Sequence, residues 1–475
     1  MTEIKIAFDG TGPAGWLAQA ASRWPRSSAL IANDDVLSFS ALSKRVSELG
    51  RRREFGTGPL ALSAVSNRDL ALGVYAALQR GIPVLPLGPG PSQEDASRLM
   101  GDCGIERQID CSTLQIRAAA RVHGRTQPLS HAAALLVPSS GSGGFPKVAM
   151  LSPSNLGAAV RSSAARLPLQ AGDLWLACLP LGHVGGLSVL LRCVRAGAGV
   201  LLHEGFDAER VWRDLQGYPV SHISLVPAML HRLLDLAGDR PPPAGLRMVL
   251  VGGGSLDPAL AHRARTAGWP LCVTYGMSET GSQVATLCGS DAGLHAGRVG
   301  RPLEGFELRI ADPDSLGVGR ILLRGPAVMA GYARPGLAPG LGLEQGWLVT
   351  GDLGRLLEDG VLEVVGRADD LLISGGEQVH PAQVEPLLQR CPGIGAAALS
   401  ASSDAVWGDL LVAVYTGSVS SQEVDAYCRR RFKGSRRPRR FLRCHELPSG
   451  RSGKLDRQRL RALVEKTFEE PEGDS

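Results

Sequence analysis

The chain has 475 residues, of which 44% are hydrophobic and 20% charged, and its net charge of +5 is too modest to predict nucleic-acid binding. This length accommodates more than one domain with a sizeable core. The N-terminal residues lack the basic and apolar regions of a signal peptide, and no apolar run reaches the roughly 18 residues of a membrane span. The nine cysteines include no C-x-x-C pair, which favours reduced thiols and predicts a cytoplasmic enzyme without structural disulfides.

Short apolar runs alternate with amphipathic stretches over roughly the first three quarters of the chain. The runs predict strands at residues 59–65, 82–87, 132–137, 174–179, 200–203, 223–226 and 248–251. The stretches between them predict helices that include residues 69–80, 207–215 and 228–236. Such alternation is typical of βαβ units, so we expect an α/β fold with largely parallel sheets and ligands beyond the carboxyl ends of the strands.

The character of the sequence changes in its last third. Residues 307–323 are rich in β-forming residues and predict a smaller β subdomain. The short charged stretch 367–370 predicts a linker. We therefore expect a large N-terminal domain over residues 1–366 and a small α+β C-terminal domain over residues 371–475.

A loop of small and hydroxyl residues that ends in a lysine follows the predicted strand 132–137. Glycines let a backbone approach a ligand closely, serines add hydroxyl donors and the lysine adds a positive charge, so this composition is typical of phosphate binding. The P-loop of kinases and GTPases is excluded, because Pro146 stands in place of its second glycine and Val148 in place of its Ser or Thr. The phosphate-binding candidates are Ser139, Ser140, Gly141, Ser142, Gly143, Gly144 and Lys147.

Four further motifs follow this loop along the chain. They are residues 275–280 (YGMSET), 346–352 (GWLVTGD), 366–370 (GRADD) and 452–454 (SGK). Together with the loop, in this order and spacing, they resemble the adenylate-forming superfamily of acyl-CoA synthetases, luciferases and peptide-synthetase adenylation domains. The resemblance implies that a carboxylic acid is activated with ATP and Mg²⁺ and then transferred to coenzyme A. It also implies that the C-terminal domain is mobile.

The resemblance assigns the chemistry of adenylation to three residues. Glu279 would be the Mg²⁺ ligand, Ser278 would contact the α-phosphate, and Lys454 would bridge the reacting carboxylate and the α-phosphate. The loop after residue 138 would clamp the β- and γ-phosphates, although Gly143 stands where the family usually has Thr. The other implied nucleotide-binding residues are Gly252, Gly253, Gly254, Tyr275, Gly276, Asp352 and Arg367. Gly276 would also leave room for the acyl group.

The resemblance also implies residues for the second half-reaction and for the acid. Asp369 would be the hinge about which the C-terminal domain rotates, and one orientation would bring in Lys454. The other orientation would form a coenzyme A tunnel from Ser374, Gly375 and Gly376. The acyl pocket would contain His183, Ser224, Val226, Pro227, Met277 and Ser282, although a lone histidine after a strand, such as His183, is usually structural.

Two segments point further, to one kind of ligase. Residues 221–230 (SHISLVPAML) and 275–283 (YGMSETGSQ) resemble the short bacterial o-succinylbenzoate–CoA ligases of menaquinone biosynthesis. Three alternatives stay open: another aryl- or acyl-CoA ligase of a secondary pathway, a stand-alone adenylation enzyme that loads an acyl carrier protein, and a degenerate nucleotide-binding protein. The basic run 429–440 is either a solvated surface or an attraction for CoA phosphates, an anionic surface or an acidic carrier. Self-association into a homo-oligomer also stays open.

Overall fold

The computed structural model describes residues 12–33, 35–88, 92–118, 133–139, 146–238, 240–289, 297–333, 340–404, 406–449 and 455–468. Its helices are α1 Pro13–Arg23, α2 Phe39–Gly50, α3 Asn67–Gln79, α4 Gln93–Asp102, α5 Pro153–Ala164, α6 Val184–Ala196, α7 Ala208–Gly217, α8 Pro227–Ala237, α9 Pro258–Thr266, α10 Pro381–Leu388, α11 Ser421–Arg431 and α12 Arg457–Phe468.

The strands are short and are numbered in chain order. They are β1 Ser28–Ala32, β2 Asp35–Ser38, β3 Leu60–Ser63, β4 Val84–Pro86, β5 Arg107–Asp110, β6 Ile116–Ala118, β7 Leu135–Pro138, β8 Val148–Leu151, β9 Leu174–Ala177, β10 Gly199–Leu202, β11 His222–Leu225, β12 Met248–Val251, β13 Leu271–Met277, β14 Ser282–Cys288, β15 Arg298–Gly300, β16 Glu307–Ala311, β17 Gly319–Arg324, β18 Gly331–Tyr332, β19 Leu343–Glu344, β20 Trp347–Leu356, β21 Leu362–Arg367, β22 Leu372–Ser374, β23 Glu377–Val379, β24 Ile394–Asp404, β25 Gly408–Gly417 and β26 Arg440–Arg443.

Two parallel-rich sheets form the large part of the molecule. One has the strand order β14-β13-β12-β11-β9-β10-β1-β2, and the other has the order β18-β8-β7-β4-β3-β5-β6. In the first sheet, only the outer strands β14 and β2 run antiparallel to their neighbours. Every residue of β9, β10, β11 and β12 is buried, as expected for parallel strands covered on both faces. The predicted α/β architecture is confirmed.

The predicted elements are present, with ends set by capping. All seven predicted strands occur, as β3, β4, β7, β9, β10, β11 and β12, and their ends differ from the prediction by at most three residues. The three predicted helices occur as α3, α7 and α8. Helix α3 begins at Asn67 because the side chain of Ser66 accepts a hydrogen bond from the Asp69 N–H. Helix α8 begins with Pro227 at its first turn, where the missing N–H costs nothing.

Two smaller sheets follow along the chain. The order β15-β21-β20-β17-β16, with β19 beside β20, is antiparallel throughout and includes the β-rich segment predicted at residues 307–323. The last sheet has the order β23-β22-β25-β24, with β26 beside β25, and packs with α10, α11 and α12 around separate apolar clusters. Within the predicted linker, Arg367 is the last residue of β21, and residues 368–370 form one 3-10 turn.

One expectation about cysteine chemistry is wrong. Cys272 on β13 and Cys288 on β14 lie directly opposite each other, with Cα atoms 4.3 Å apart, and form a disulfide. The spacing of 16 residues in the sequence did not reveal that a hairpin turn brings the two thiols into register. The other seven cysteines are free thiols.

None of the helices in the described part of the chain is both long and apolar enough to cross a lipid bilayer.

Candidate active site

The carboxyl end of β13 and the 3-10 turn after it carry several predicted site residues. Ser278 reaches the strand that precedes the serine/glycine loop, because its hydroxyl donates a hydrogen bond of 3.0 Å to the carbonyl oxygen of Pro138. Gly252, which follows the neighbouring strand β12, lies against Thr274 so closely that a Cβ would come within 2.7 Å of its methyl group. The ends of β7, β12 and β13 therefore meet at one crevice, as predicted for parallel strands.

The serine/glycine loop connects two antiparallel strands. Pro138 on β7 pairs with Val148 on β8, and the Ser139 N–H donates a hydrogen bond of 2.7 Å to the Lys147 carbonyl. A strand follows the loop, so no helix N-terminus stands behind it, and phosphate binding would depend on loop N–H groups, hydroxyls and Lys147. Five of the predicted loop residues, Ser140, Gly141, Ser142, Gly143 and Gly144, lie outside the described residues.

Asp352 and Arg367 are cross-strand partners on β20 and β21. Arg367 Nη1 lies 3.4 Å from Asp352 Oδ1, and its Nη2 lies 3.3 Å from Asp369 Oδ2. The guanidinium also occupies the space beside Gly351, because a Cβ there would lie 3.0 Å from Arg367 Cζ. Arg367 therefore links the predicted ribose-binding carboxylate to the predicted hinge residue.

Tyr275, on β13 of the first parallel-rich sheet, also contacts Asp352. Its phenol donates a hydrogen bond of 2.7 Å to Asp352 Oδ2. Burial, together with the negative charge of Asp352, raises the pKa of Tyr275 well above its usual range, so the phenol stays neutral and remains a donor. Three of the residues implied in nucleotide binding are thus in direct contact.

Gly276 has a different role from the one expected. The pairing of β13 with β14 shifts register between Tyr275 and Gly276. A Cβ on Gly276 would overlap the carbonyl oxygen of Ser282, so the space beside it is filled by the neighbouring backbone rather than left for an acyl group. Only glycine permits this close approach.

Glu279 is held in a position that suits a metal ligand. Glu279 is 9% exposed, and the Tyr332 hydroxyl donates a hydrogen bond of 2.7 Å to its Oε1. Among the described residues, none hydrogen-bonds to Oε2, which leaves one hard oxygen for a divalent cation. No cluster of three or more potential metal-binding side chains occurs in the described part of the chain. Mg²⁺ in nucleotide sites commonly takes most of its ligands from phosphates and water.

The predicted acyl-pocket residues form a partly connected group around a residue that the sequence analysis missed. Met277 pairs with Ser282 across β13 and β14, and the Ser282 hydroxyl accepts a hydrogen bond of 2.9 Å from Arg192 Nη2. The Arg192 guanidinium lies 5.8 Å from the ring centre of Trp175, and the Trp175 indole N–H donates a hydrogen bond of 3.1 Å to Ser224.

The other residues predicted for the acyl pocket lie at several places around this group. Ser224 is buried, and its hydroxyl accepts the hydrogen bond from the Trp175 indole. Val226 is buried and precedes α8, whose first residue is Pro227. His183 is exposed and stands immediately before α6, the helix that carries Arg192.

Arg192 is a buried cation without an acidic partner among the described residues. It is 5% exposed, and its Nη1 has no hydrogen-bond partner in the described structure. Burial lowers its pKa to about 10, so it is still charged at neutral pH. A buried guanidinium without a carboxylate partner is costly, and an anionic ligand would offset that cost. The sequence feature that could have revealed Arg192 is its position as the one charged residue in the mostly apolar stretch 187–194 (LSVLLRCV) of α6.

The residues predicted to form the coenzyme A tunnel lie at the hairpin of β22 and β23. Gly375 and Gly376 form the turn between β22 and β23 with φ values of +56° and +79°, which favour glycine. Ser374 is buried, and a Cβ on Gly375 would lie 2.9 Å from the Trp407 ring. The Trp407 ring therefore occupies the space beside Gly375 in this structure.

Lys454 lies outside the described residues. The chain on either side of it is anchored, because Ser449 and Leu455 form an antiparallel bridge. Arg457 then lies 3.2 Å from Asp370 Oδ2 and 2.8 Å from Glu385 Oε1. The segment after Lys454 is thus tied to the 3-10 turn that contains the predicted hinge.

The basic run forms a concave surface. Side chains of Arg429, Arg437, Arg439 and Arg440 line a cleft of about 310 Å³ in which Asp425 is the one acidic lining residue. Arg439 stacks 3.8 Å from the ring centre of Trp407, the same ring that contacts Gly375. Burial and the charges of Arg437 and Arg429 lower the pKa of Arg439, which indicates that the cleft concentrates positive charge.

Comparison with known proteins agrees with this arrangement. The AMP-binding enzyme family matches residues 117–333, and the AMP-binding enzyme C-terminal domain matches residues 383–454. A 2-succinylbenzoate–CoA ligase from Bacillus cereus is 32% identical, covering 95% of this chain and 98% of that protein.

Solved structures show the same fold. Structures of o-succinylbenzoate coenzyme A synthetase from Bacillus subtilis, one with its acyl-adenylate intermediate and one with ATP and a magnesium ion, each match with a TM-score of 0.82 at 30% identity. They cover 94% of this chain and 97% and 99% of theirs. The chain belongs to the AMP-binding enzyme family, and the resemblance to the adenylate-forming superfamily is confirmed.

Proposed function

We propose that this chain is an ATP-dependent acid–CoA ligase that forms an acyl adenylate and then a thioester, with 2-succinylbenzoate as its acid. The observation that carries the choice of acid is the unpaired guanidinium of Arg192 beside Ser282. 2-Succinylbenzoate has two carboxylates, so one can be activated while the other binds a buried cation. The relatives named for this reaction support the same choice.

In the first half-reaction, a carboxylate oxygen of the acid attacks the α-phosphorus of ATP, and the bond to pyrophosphate breaks. Asp352 and Arg367 would bind the ribose, and Lys147 would bind the leaving pyrophosphate. Lys454 would stabilise the charge that develops between the carboxylate and the α-phosphate. Glu279 would hold Mg²⁺, which neutralises phosphate charge when bound.

In the second half-reaction, the thiol of coenzyme A attacks the acyl carbonyl, and AMP leaves. The arginine-lined cleft favours an acceptor that carries several phosphates, which coenzyme A does. We propose that Asp369 is the hinge between domains at residues 1–366 and 371–475. Its contact with Arg367 would connect the hinge to the nucleotide site. We also propose a cytoplasmic location, where ATP and coenzyme A are available.

A second acceptor is favoured by the same cleft. An acidic acyl carrier protein would complement the four arginines as well, and the chain would then be a stand-alone adenylation enzyme. Thioester formation with each acceptor, detected by chromatography, distinguishes coenzyme A from a carrier protein. If a thioester formed with a phosphopantetheinylated carrier but not with coenzyme A, the ligase assignment would be wrong and the carrier-loading assignment would replace it.

ATP–pyrophosphate exchange over a panel of acids tests the first step. We expect exchange with 2-succinylbenzoate and much weaker exchange with 4-oxo-4-phenylbutanoate, which lacks only the ring carboxylate. Exchange with benzoates or fatty acids instead would indicate another aryl- or acyl-CoA ligase. No exchange with any acid would show a nucleotide-binding protein without ligase activity.

A further inference from the structure

Tyr332 touches two residues of the candidate site at once. Its hydroxyl donates a hydrogen bond of 2.7 Å to Glu279 Oε1, and the ammonium of Lys147 lies 5.1 Å from the centre of its ring. Glu279 is the proposed metal ligand, and Lys147 ends the proposed phosphate-binding loop. Tyr332 therefore lies between the proposed metal ligand and the proposed pyrophosphate-binding lysine. It belongs to none of the motifs found in the sequence.

The fold fixes Tyr332 from several directions. It belongs to the two-residue strand β18, where it pairs with Ala149 on β8, two residues after Lys147. Its ring packs on Gly342, where a Cβ would lie 2.6 Å from Cε2 and where φ is +85°. The chain just before it also holds the other partner, because the Met329 N–H donates a hydrogen bond of 2.7 Å to the Glu279 carbonyl. Strand pairing thus fixes the backbone of Tyr332, and the Met329 hydrogen bond fixes the backbone of its partner Glu279.

We propose that Tyr332 is a positioning residue for the divalent cation that accompanies ATP, a step that rests on the proposed function. Its hydroxyl fixes the Glu279 carboxylate through Oε1 and leaves Oε2 for the cation. A glutamate without this bond would have to lose side-chain freedom when the cation binds. Outer partners of metal-binding side chains change metal affinity in this way. The ring face also attracts the Lys147 ammonium and holds it at the end of the loop.

Two substitutions separate these two contacts. Tyr332→Phe removes the hydroxyl and keeps the ring, whereas Tyr332→Leu removes both. Tyr427→Phe is the matched control, because its hydroxyl donates a hydrogen bond of 2.9 Å to the Leu387 carbonyl in the C-terminal core. ATP binding is measured by titration calorimetry, once with Mg²⁺ and once with EDTA, and the Mg²⁺ dependence of ATP–pyrophosphate exchange is measured in parallel.

We expect Tyr332→Phe to weaken Mg²⁺-dependent ATP binding about tenfold, to raise the Mg²⁺ concentration needed for half-maximal exchange, and to leave binding in EDTA unchanged. Tyr332→Leu should also weaken binding in EDTA, because Lys147 loses its support, and Tyr427→Phe should change neither. Equal weakening with and without Mg²⁺ in Tyr332→Phe, or no change in either, would overturn the proposal.

The calorimetry separates this proposal from the proposed function. Wild-type protein that binds MgATP but exchanges with no acid would refute the ligase assignment, and the effect of Tyr332→Phe on MgATP binding would still decide the role of Tyr332.

Discussion

The phenol of Tyr275 lies 2.7 Å from Asp352 Oδ2, and this hydrogen bond joins the first sheet to the antiparallel sheet of the β subdomain. Arg367 contacts the other oxygen, Oδ1, at 3.4 Å. Both oxygens of the carboxylate are therefore oriented by neighbouring side chains. If Asp352 binds the ribose as proposed, this preorganisation would lower the cost of binding, because the carboxylate has little freedom left to lose.

Tyr275→Phe should therefore weaken ATP binding while leaving the chemical step intact. The loss of one hydrogen bond to a charged group predicts a KM for ATP that is roughly 10-fold higher, with kcat nearly unchanged. Steady-state ATP–pyrophosphate exchange measures both constants, and Tyr427→Phe again provides the control. An unchanged KM for ATP would show that Arg367 alone orients Asp352.

Arg192→Met should change the choice of acid. A methionine fills similar apolar space, so the variant removes the buried charge while it preserves packing. We expect the KM for 2-succinylbenzoate to rise about 100-fold, as for other buried charge pairs that lose one partner, and the KM for ATP to stay constant. The preference over 4-oxo-4-phenylbutanoate should disappear. Equal losses with both acids would show that Arg192 serves packing and not recognition of a carboxylate.

Lys454→Ala should separate the two half-reactions. We expect no acyl-adenylate formation by exchange, but normal thioester formation when a synthetic acyl adenylate and coenzyme A are supplied, because the lysine acts only on the transition state at phosphorus. The control is Lys466→Ala, a lysine near the C-terminal end of α12. Loss of both half-reactions in Lys454→Ala would contradict the assigned role.

The sequence predicted the strands and helices of the large sheets closely, but it did not predict which candidate side chains contact each other. Motifs singled out Asp352, Arg367 and Tyr275 as candidates, and the structure shows that these three side chains are in contact. Arg192 and Tyr332 stand outside any motif, and their roles depend on contacts between strands and helices that are far apart in the sequence. Pattern alone cannot supply such contacts, because burial and partner are tertiary properties.

The same limit applies to two glycines. Gly276 was expected to leave room for the acyl group, and Gly375 was assigned to the coenzyme A tunnel. In the structure the Ser282 backbone and the Trp407 ring fill the spaces beside them. A sequence shows that a side chain is absent but does not show which neighbour requires its absence.

His222 predicts a pH dependence of stability. It is fully buried and stacks on Trp175 with ring centres 5.1 Å apart, and burial lowers its pKa to about 4. The folded state thus keeps the imidazole neutral, whereas the unfolded chain takes up a proton below about pH 6.5. Stability should be complete above that pH and should fall by up to roughly 3 kcal/mol as the pH drops towards 4. Thermal unfolding from pH 7 to 4 measures the slope, and His222→Gln should flatten it; an identical slope would assign the effect to other groups.

The disulfide between Cys272 and Cys288 lies on the two strands that carry Tyr275 and Ser282. Closing a loop of this length stabilises a folded chain by about 3 kcal/mol in the chain-entropy model, so reduction should lower the unfolding midpoint.

Alkylation of denatured, unreduced protein should modify seven of the nine cysteines, and all nine after reduction. Cys288→Ser should remove the effect of dithiothreitol on the midpoint, whereas Cys444→Ser, which changes a free thiol, should retain it. Alkylation of all nine before reduction would show that the pair stays reduced, as is usual in a cytoplasm. The register of the two strands would then depend on their backbone hydrogen bonds, on the close approach at Gly276 and on the hydrogen bond between the Thr274 and Thr286 hydroxyls, because the cross-link would be absent.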